Sequence, residues 1–148
     1  MSKDVRIMAY REGHLDLMTL PVEGNRKATD QLLASLVRFS RAYAYTMTVN
    51  GKVVCIAGVI EIWKGLGEAW AIVSPDAKDH ALAMHRLALP LIKIWFKEME
   101  LHRLQATVQS NLPVNLKWAK TLGFQPEATL RSYGPTKEDH QMLVRFSA

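Results

Sequence analysis

The sequence predicts an α/β domain built on a mixed, mostly antiparallel sheet with helices on both faces. Three observations predict it. Period-two runs occupy the middle of the chain and recur near both ends, segments of helical period separate them, and an Asn50-Gly51 pair lies between two strand-like runs. Strands alternating with helices at either end of an antiparallel meander give a sheet whose two apolar faces both need cover. At 148 residues the chain is one domain's length, and residues 1–148 are read as a single domain.

Val5–Tyr10 alternates as a first strand, and Gly13–Leu20 reads as a short helix with Leu15 and Met18 three apart. Pro21–Lys27 reads as a polar loop. Thr29 or Asp30 is placed to cap the next helix, whose apolar stripe is Leu32, Leu33, Leu36, Val37 and Ser40, with Arg38 and Arg41 outside it.

The period then changes. Tyr43, Tyr45, Met47 and Val49 alternate with Ala44, Thr46 and Thr48, and the Val/Ile-rich run Lys52–Trp63 follows Asn50-Gly51. A type I′ turn needs positive φ at both central positions, which Asn-Gly supplies, so this pair predicts a tight hairpin. Gly65 and Gly67 mark a second turn, and Glu68–Val73 makes a third strand. Ser74-Pro75 ends the meander. His80–Glu100 is a long helix with Met84, Leu87, Ala88, Leu91, Ile94 and Trp95 on one face and Pro90 inside it, where a kink is expected. Arg103–Gln109 alternates with Leu104, Ala106 and Val108 inward. Pro113–Leu122 is a short helix stopped by Gly123, and strands near Glu127–Tyr133 and His140–Phe146 close the chain.

The bulk properties exclude several classes. Hydrophobic residues make up 49% and charged residues 22%, which excludes intrinsic disorder. The apolar run Leu87–Phe96 is broken by Pro90 and Lys93 and falls short of the roughly 20 residues that span a bilayer. Met1-Ser-Lys-Asp lacks the order of a signal peptide. A cytoplasmic protein with no membrane partner is expected. Cys55 is the one cysteine, which excludes an intrachain disulfide and a cysteine-built zinc site; its apolar strand predicts core packing. The five histidines show no ligand spacing, so no metal is expected. The net charge of +5 is dispersed rather than clustered, which points to a solvated basic surface and away from nucleic acid.

Two segments carry a resemblance. One is "NLPVNLKWAKTLGF", Asn111 through Phe124, with "RSYG" at Arg131–Gly134 and a final strand after it. The other is "AIVSPDAKDHALA", a strand running through Ser74-Pro75 into a helix. Together with the element order, which covers nearly the whole chain, they resemble the GCN5-related N-acetyltransferase superfamily, in the manner of small phage-encoded members.

The resemblance implies an N-acyltransferase moving an acetyl group from acetyl-coenzyme A to an amine of a small molecule or protein. It implies that Ala71, Ile72 and Val73 face the thioester with their backbone and that Lys78, Asp79, His80, Ala81, Leu82 and Ala83 form the pyrophosphate loop, with Asn111 also at the cofactor. That loop departs from the family pattern Gln/Arg-x-x-Gly-x-Gly/Ala: Lys78 stands in the first position and Ala81 replaces the first glycine. Ala81 keeps its N–H and is tolerable where φ is negative. Asp79 brings a carboxylate toward phosphates but suits a helix N-cap. Asn111 lies one residue further from Gly-Phe than in the pattern, and Ala119 occupies the place of a tyrosine that can protonate the leaving thiolate. Tyr133 is the substitute acid if the chain folds back.

The general base expected from the resemblance is Glu68, at the start of its strand, or Glu61 at the end of the preceding one. A base is required because an ammonium must lose a proton before it can attack. The departures in the loop and the missing tyrosine point to the alternative: an acetyltransferase fold kept as a binding or structural module without turnover or cofactor, acting in a virion or on a host protein if phage-encoded. Tyr43, Tyr45, Trp63 and Trp70 read either as sheet packing or as an acceptor pocket.

Overall fold

The computed structural model describes residues 3–18 and 26–147. Among them the strands are β1 (Val5–Ala9), β2 (Ala44–Val49), β3 (Lys52–Trp63), β4 (Leu66–Val73), β5 (Arg103–Gln109), β6 (Gln125–Leu130) and β7 (His140–Phe146). The α-helices are α1 (Arg26–Ser40), α2 (Ala81–Glu98) and α3 (Pro113–Thr121), and 3₁₀ turns cover His14–Leu17 and Pro75–His80. The sheet has seven strands in the order β1-β2-β3-β4-β5-β7-β6. β1/β2, β2/β3, β5/β7 and β6/β7 are antiparallel, whereas β4 and β5 are parallel. Parallel neighbours need a crossover connection, here the 3₁₀ turn and α2. The mixed, mostly antiparallel sheet expected from the sequence is therefore present.

The residues cluster into two compact units, Met1–Ile60 with Trp70–Leu87 and Glu61–Ala69 with Ala88–Ala148. In the first unit, Asn50 (φ 52°) and Gly51 (φ 80°) form the tight turn between β2 and β3. Leu15, Met18, Leu33, Val53 and Ile56 make a buried cluster, with Tyr10, Val37, Trp70 and Ile72 packed against it. Leu33, Leu36, Val37 and Ser40 are the inward stripe of α1, at i, i+3, i+4 and i+7. Leu32, expected in that stripe, is 56% exposed. Thr29 and Asp30 lie inside α1, so neither caps it; the loop expected over Pro21–Lys27 falls on residues 21–25, outside the described residues, with 26 and 27 already helical. The short helix expected over Gly13–Leu20 is a single 3₁₀ turn, and Met18 leaves it to bridge Val53; residues 19 and 20 lie outside the described residues.

In β3, Val54 is an extra residue between Val53 and Cys55 opposite β2. This bulge frees the Val54 carbonyl to accept the N–H of Ser74 at 2.9 Å, which fixes where the chain leaves β4. Cys55 is fully buried, and burial pushes its thiol up to about 12. The thiolate is the reactive form. Native protein should therefore leave a chromogenic disulfide reagent unreacted over hours at pH 8 and react with one equivalent once unfolded; fast labelling of the native state would contradict this burial.

In the second unit, α3 ends in a Schellman motif. Phe124 N–H donates to the Ala119 carbonyl at 3.1 Å and Gly123 N–H to that of Lys120 at 3.0 Å. Gly123 takes φ 94°, as the stop signal requires, and Phe124 is buried. On α2, Leu91, Ile92 and Trp95 pack inward, with Met99 buried just after the helix, whereas Ile94, expected there, is 45% exposed. Tyr133 lies outside β6: Ser132 turns at φ 53°, and its N–H donates to Asp139 Oδ1 at 2.9 Å, closing a loop before β7. No helix among the described residues is long and apolar enough to cross a membrane.

Candidate functional site

In the first unit, β4 delivers Ala71, Ile72 and Val73 to a short helical junction. Ser74 is buried, and its Oγ accepts the Asp76 N–H at 3.2 Å, which caps the 3₁₀ turn. Asp79 lies inside that turn, so the capping role expected of it belongs to Ser74. The Asp76 carboxylate is neutralised by Lys52 Nζ at 2.6 Å. Lys78, Asp79 and His80 thus belong to the 3₁₀ turn, and Ala81, Leu82 and Ala83 form the first turn of α2. The expected open loop is instead a continuous helical path.

Ala81 has φ −56° and ψ −43°, so its methyl costs no backbone strain. The 3₁₀ turn runs straight into α2, so the N–H groups of residues 81–83 lie inside one helical path whose positive dipole end is at the Ser74 cap. Lys78 is exposed beside them. Lys3 Nζ donates to the Asp79 carbonyl at 3.1 Å and lies 2.9 Å from His80 Nδ1. Since an ammonium can only donate, that ring nitrogen is the acceptor. The Lys3 and Lys78 ammonium groups bring positive charge here, opposed by the exposed Asp79 carboxylate; that balance suits an anionic phosphate group.

Trp70 shares the junction's strand. Its Nε1 donates to Ser40 Oγ at 2.8 Å, and its ring fills the notch left by Gly58. Sheet packing is thus the role of Trp70, whereas Trp63 is 64% exposed. His14, given no partner by the sequence, accepts the Arg11 N–H on Nδ1 at 3.1 Å, with Thr46 Oγ1 at 2.7 Å from the same atom.

The chain has the fold of known acetyltransferases. Ard1 from Thermoplasma volcanium matches with a TM-score of 0.80 at 15% identity, over 97% of this chain and 98% of that one. A GNAT-family acetyltransferase from Bacillus anthracis matches at 0.72 and 15%, over 96% and 94%. A spermidine N-acetyltransferase SpeG chimera from Vibrio cholerae and hSSAT matches at 0.69 and 18%, over 96% and 95%. No family model matches the chain, and no curated protein matches it by sequence. At these identities the likeness concerns the acetyltransferase fold.

The second unit holds the remaining candidates. Glu68 is partly buried on β4, in register with Gln105 of β5, and its Oε1 accepts from Gln105 Nε2 at 3.1 Å. Glu61 is exposed near the end of β3. Tyr133 is 54% exposed, and its ring lies tilted against the His140 ring at 5.0 Å between centroids. Asn111 is exposed in the turn before α3 and lines an open depression of about 450 Å³ with Ser110, Lys137, Glu138 and Asp139. Hydrogen bonding from the Thr136 hydroxyl holds the Glu138 carboxyl below its ordinary value. Among the described residues no group of three His, Cys, Asp or Glu side chains could hold a metal ion.

The sequence reading missed Arg103, Gln105 and Glu127. Arg103 Nη1 and Nη2 donate to the two Glu127 oxygens at 2.8 and 2.6 Å, and Arg103 Nε donates to Gln105 Oε1 at 3.1 Å. The signal was present: Arg103, Gln105, Thr107 and Gln109 alternate with the inward Leu104, Ala106 and Val108, which gives β5 an unusually polar outer face. The Arg103 hydrogen bonds hold the Glu127 carboxyl below its ordinary range. A lowered carboxyl pKa stabilises the fold fully above the unfolded value, near 4.3, and loses that contribution as pH falls through the folded value. Urea midpoints of wild type and Glu127→Gln should therefore differ at pH 7 and converge toward pH 3. A constant gap would assign the difference to packing.

Proposed function

We propose that the protein is an N-acyltransferase that moves an acetyl group from acetyl-coenzyme A to an amine of a small molecule or protein, in the cytoplasm. The observation that carries this reading is the junction from β4 through the Ser74 cap into α2, with the Lys78 and Lys3 ammonium groups beside it. The pyrophosphate would be held by the backbone of Lys78–Ala83 and by the Lys78 ammonium, and the thioester would lie along Ala71, Ile72 and Val73, with Asn111 also assigned to the cofactor. Coenzyme A, when bound, supplies the acyl group as an activated thioester. Backbone N–H donors of β4 would stabilise the charge that develops on the carbonyl oxygen. Glu68, on the same strand, takes the proton of the attacking amine, with Glu61 as the second candidate. Tyr133 is the candidate proton donor. Departure without an acid is tolerable, because a free thiol has a pKa of about 8.5 and its thiolate leaves readily near neutral pH.

A second reading has its own support: no glycine opens the junction, a 3₁₀ turn occupies it, and Asp79 presents a carboxylate there. On that reading the chain is a non-catalytic module of the same fold, used by a phage in the virion or against a host protein.

Calorimetric titration separates the two. The enzyme reading expects acetyl-coenzyme A to bind, and Lys78→Glu to weaken binding by about 1–3 kcal/mol, the size of a lost charge-assisted contact. Unchanged affinity in Lys78→Glu would place the phosphates elsewhere.

A further inference from the structure

The outer face of β5 carries a chain of polar contacts that reaches Glu68. Glu127 falls where β6 bulges against β7: Pro126 pairs with Leu143 and Ala128 with Met142, which leaves Glu127 as the extra residue. A bulge re-aims a side chain, and here the carboxylate meets Arg103 in a two-bond fork. The Arg103 guanidinium also lies 5.9 Å from the centroid of the Phe146 ring, in register with it on β7. Its remaining Nε–H points along β5 to Gln105, two residues on and on the same face.

That contact fixes the Gln105 amide. Guanidinium N–H groups only donate, so the Gln105 atom facing Arg103 is oxygen and the other end is the NH₂ group. The NH₂ group meets Glu68 Oε1. Glu68 is thereby given a donor on one oxygen, in a fixed orientation, with Oε2 left to take a proton.

We infer that Gln105 is a positioning residue for Glu68, its amide oriented by Arg103 and ultimately by the β6 bulge at Glu127. The inference rests on the proposed role of Glu68 as base. Glu127 clamps Arg103, Arg103 selects the Gln105 rotamer, and Gln105 holds the carboxylate. Lysine in place of Arg103 lacks the planar fork that grips both Glu127 oxygens while a separate Nε–H meets Gln105.

The test is a double-mutant cycle on thioester consumption, with acetyl-coenzyme A plus a panel of spermidine and short peptides bearing free N-terminal and lysine amines. Gln105→Leu is expected to lower kcat about tenfold with little change in the KM for acetyl-coenzyme A, and to add nothing in a Glu68→Gln background. Additive losses, or a loss confined to KM, would overturn the positioning role while leaving Glu68 as base. A Glu68→Gln variant as fast as wild type would overturn the base itself, and the inference with it; so would absence of turnover with every amine. A second readout needs no turnover: the Gln105 side-chain amide resonances, assigned through Gln105→Leu, should shift in both Glu68→Gln and Arg103→Lys. Resonances that stay in place in either variant would overturn the chain of contacts.

Discussion

Glu68→Gln should lower acetyl transfer by about 10²–10⁴-fold, the range of a lost general base. At 1.36 kcal/mol per tenfold this is about 3–5 kcal/mol in the barrier. The substitution keeps size and shape and can still accept from Gln105 through its amide oxygen. What it removes is the capacity to take up a proton. The loss should therefore appear in kcat, with the KM for acetyl-coenzyme A nearly unchanged, and should shrink as pH rises and more of the acceptor amine is already neutral. Tyr133→Phe should cost much less, because the thiolate leaves without much help. Thioester consumption by the three proteins at several pH values checks this. Equal rates for wild type and Glu68→Gln would remove Glu68 from the mechanism, and Glu61→Gln would then be the variant to measure.

Gly58→Ala should destabilise the fold by about 3 kcal/mol. A methyl there would sit 2.7 Å from Trp70 Cζ2 and 2.8 Å from the Tyr43 carbonyl oxygen. That carbonyl is itself held by the Val59 N–H at 3.2 Å, so the backbone has to give at one contact and the indole at the other. Moving the indole breaks its hydrogen bond to Ser40, whose side chain is buried at the end of α1. Overpacking costs about 1–3 kcal/mol and a hydrogen bond about 1. At about 2–4 °C per kcal/mol for a chain of this size, the melting temperature should fall by about 6–12 °C. Gly58→Ala should cost less in a Trp70→Leu background, because the obstructing ring is gone. The same cost in both backgrounds would show that the contact with the Tyr43 carbonyl sets the strain.

Signals that state a backbone requirement were legible in the sequence. Asn50-Gly51 demands positive φ twice and obtains it, and Gly123-Phe124 closes α3 by a motif whose geometry only a left-handed residue permits. Cys55 in an apolar run is core. Positions decided by neighbours distant in sequence were less legible. Leu32 and Ile94 fit the helical period but lie at the margins of their stripes, where packing partners decide the outcome. Asp79 looked like a cap because the sequence does not reveal that Ser74, four residues after Trp70, already starts the helical path. Tyr133 left β6 because Asp139 draws the Ser132 backbone into a turn. Of the candidate site, the junction and Glu68 could be named in advance. Arg103 and Gln105 show in the alternation of β5, but their link to Glu127 depends on a bulge in β6, which changes the aim of one side chain and leaves no trace in the period-two pattern.

The central claim is that the start of α2 holds the pyrophosphate of an acyl donor. Calorimetric titration of wild type and Lys78→Glu with acetyl-coenzyme A, run at two temperatures so that a vanishing enthalpy is not mistaken for absence of binding, tests it most directly. One-site binding to wild type, weakened about 5- to 150-fold in Lys78→Glu, is the expected result; no binding heat at either temperature would contradict the enzyme reading and favour the non-catalytic module.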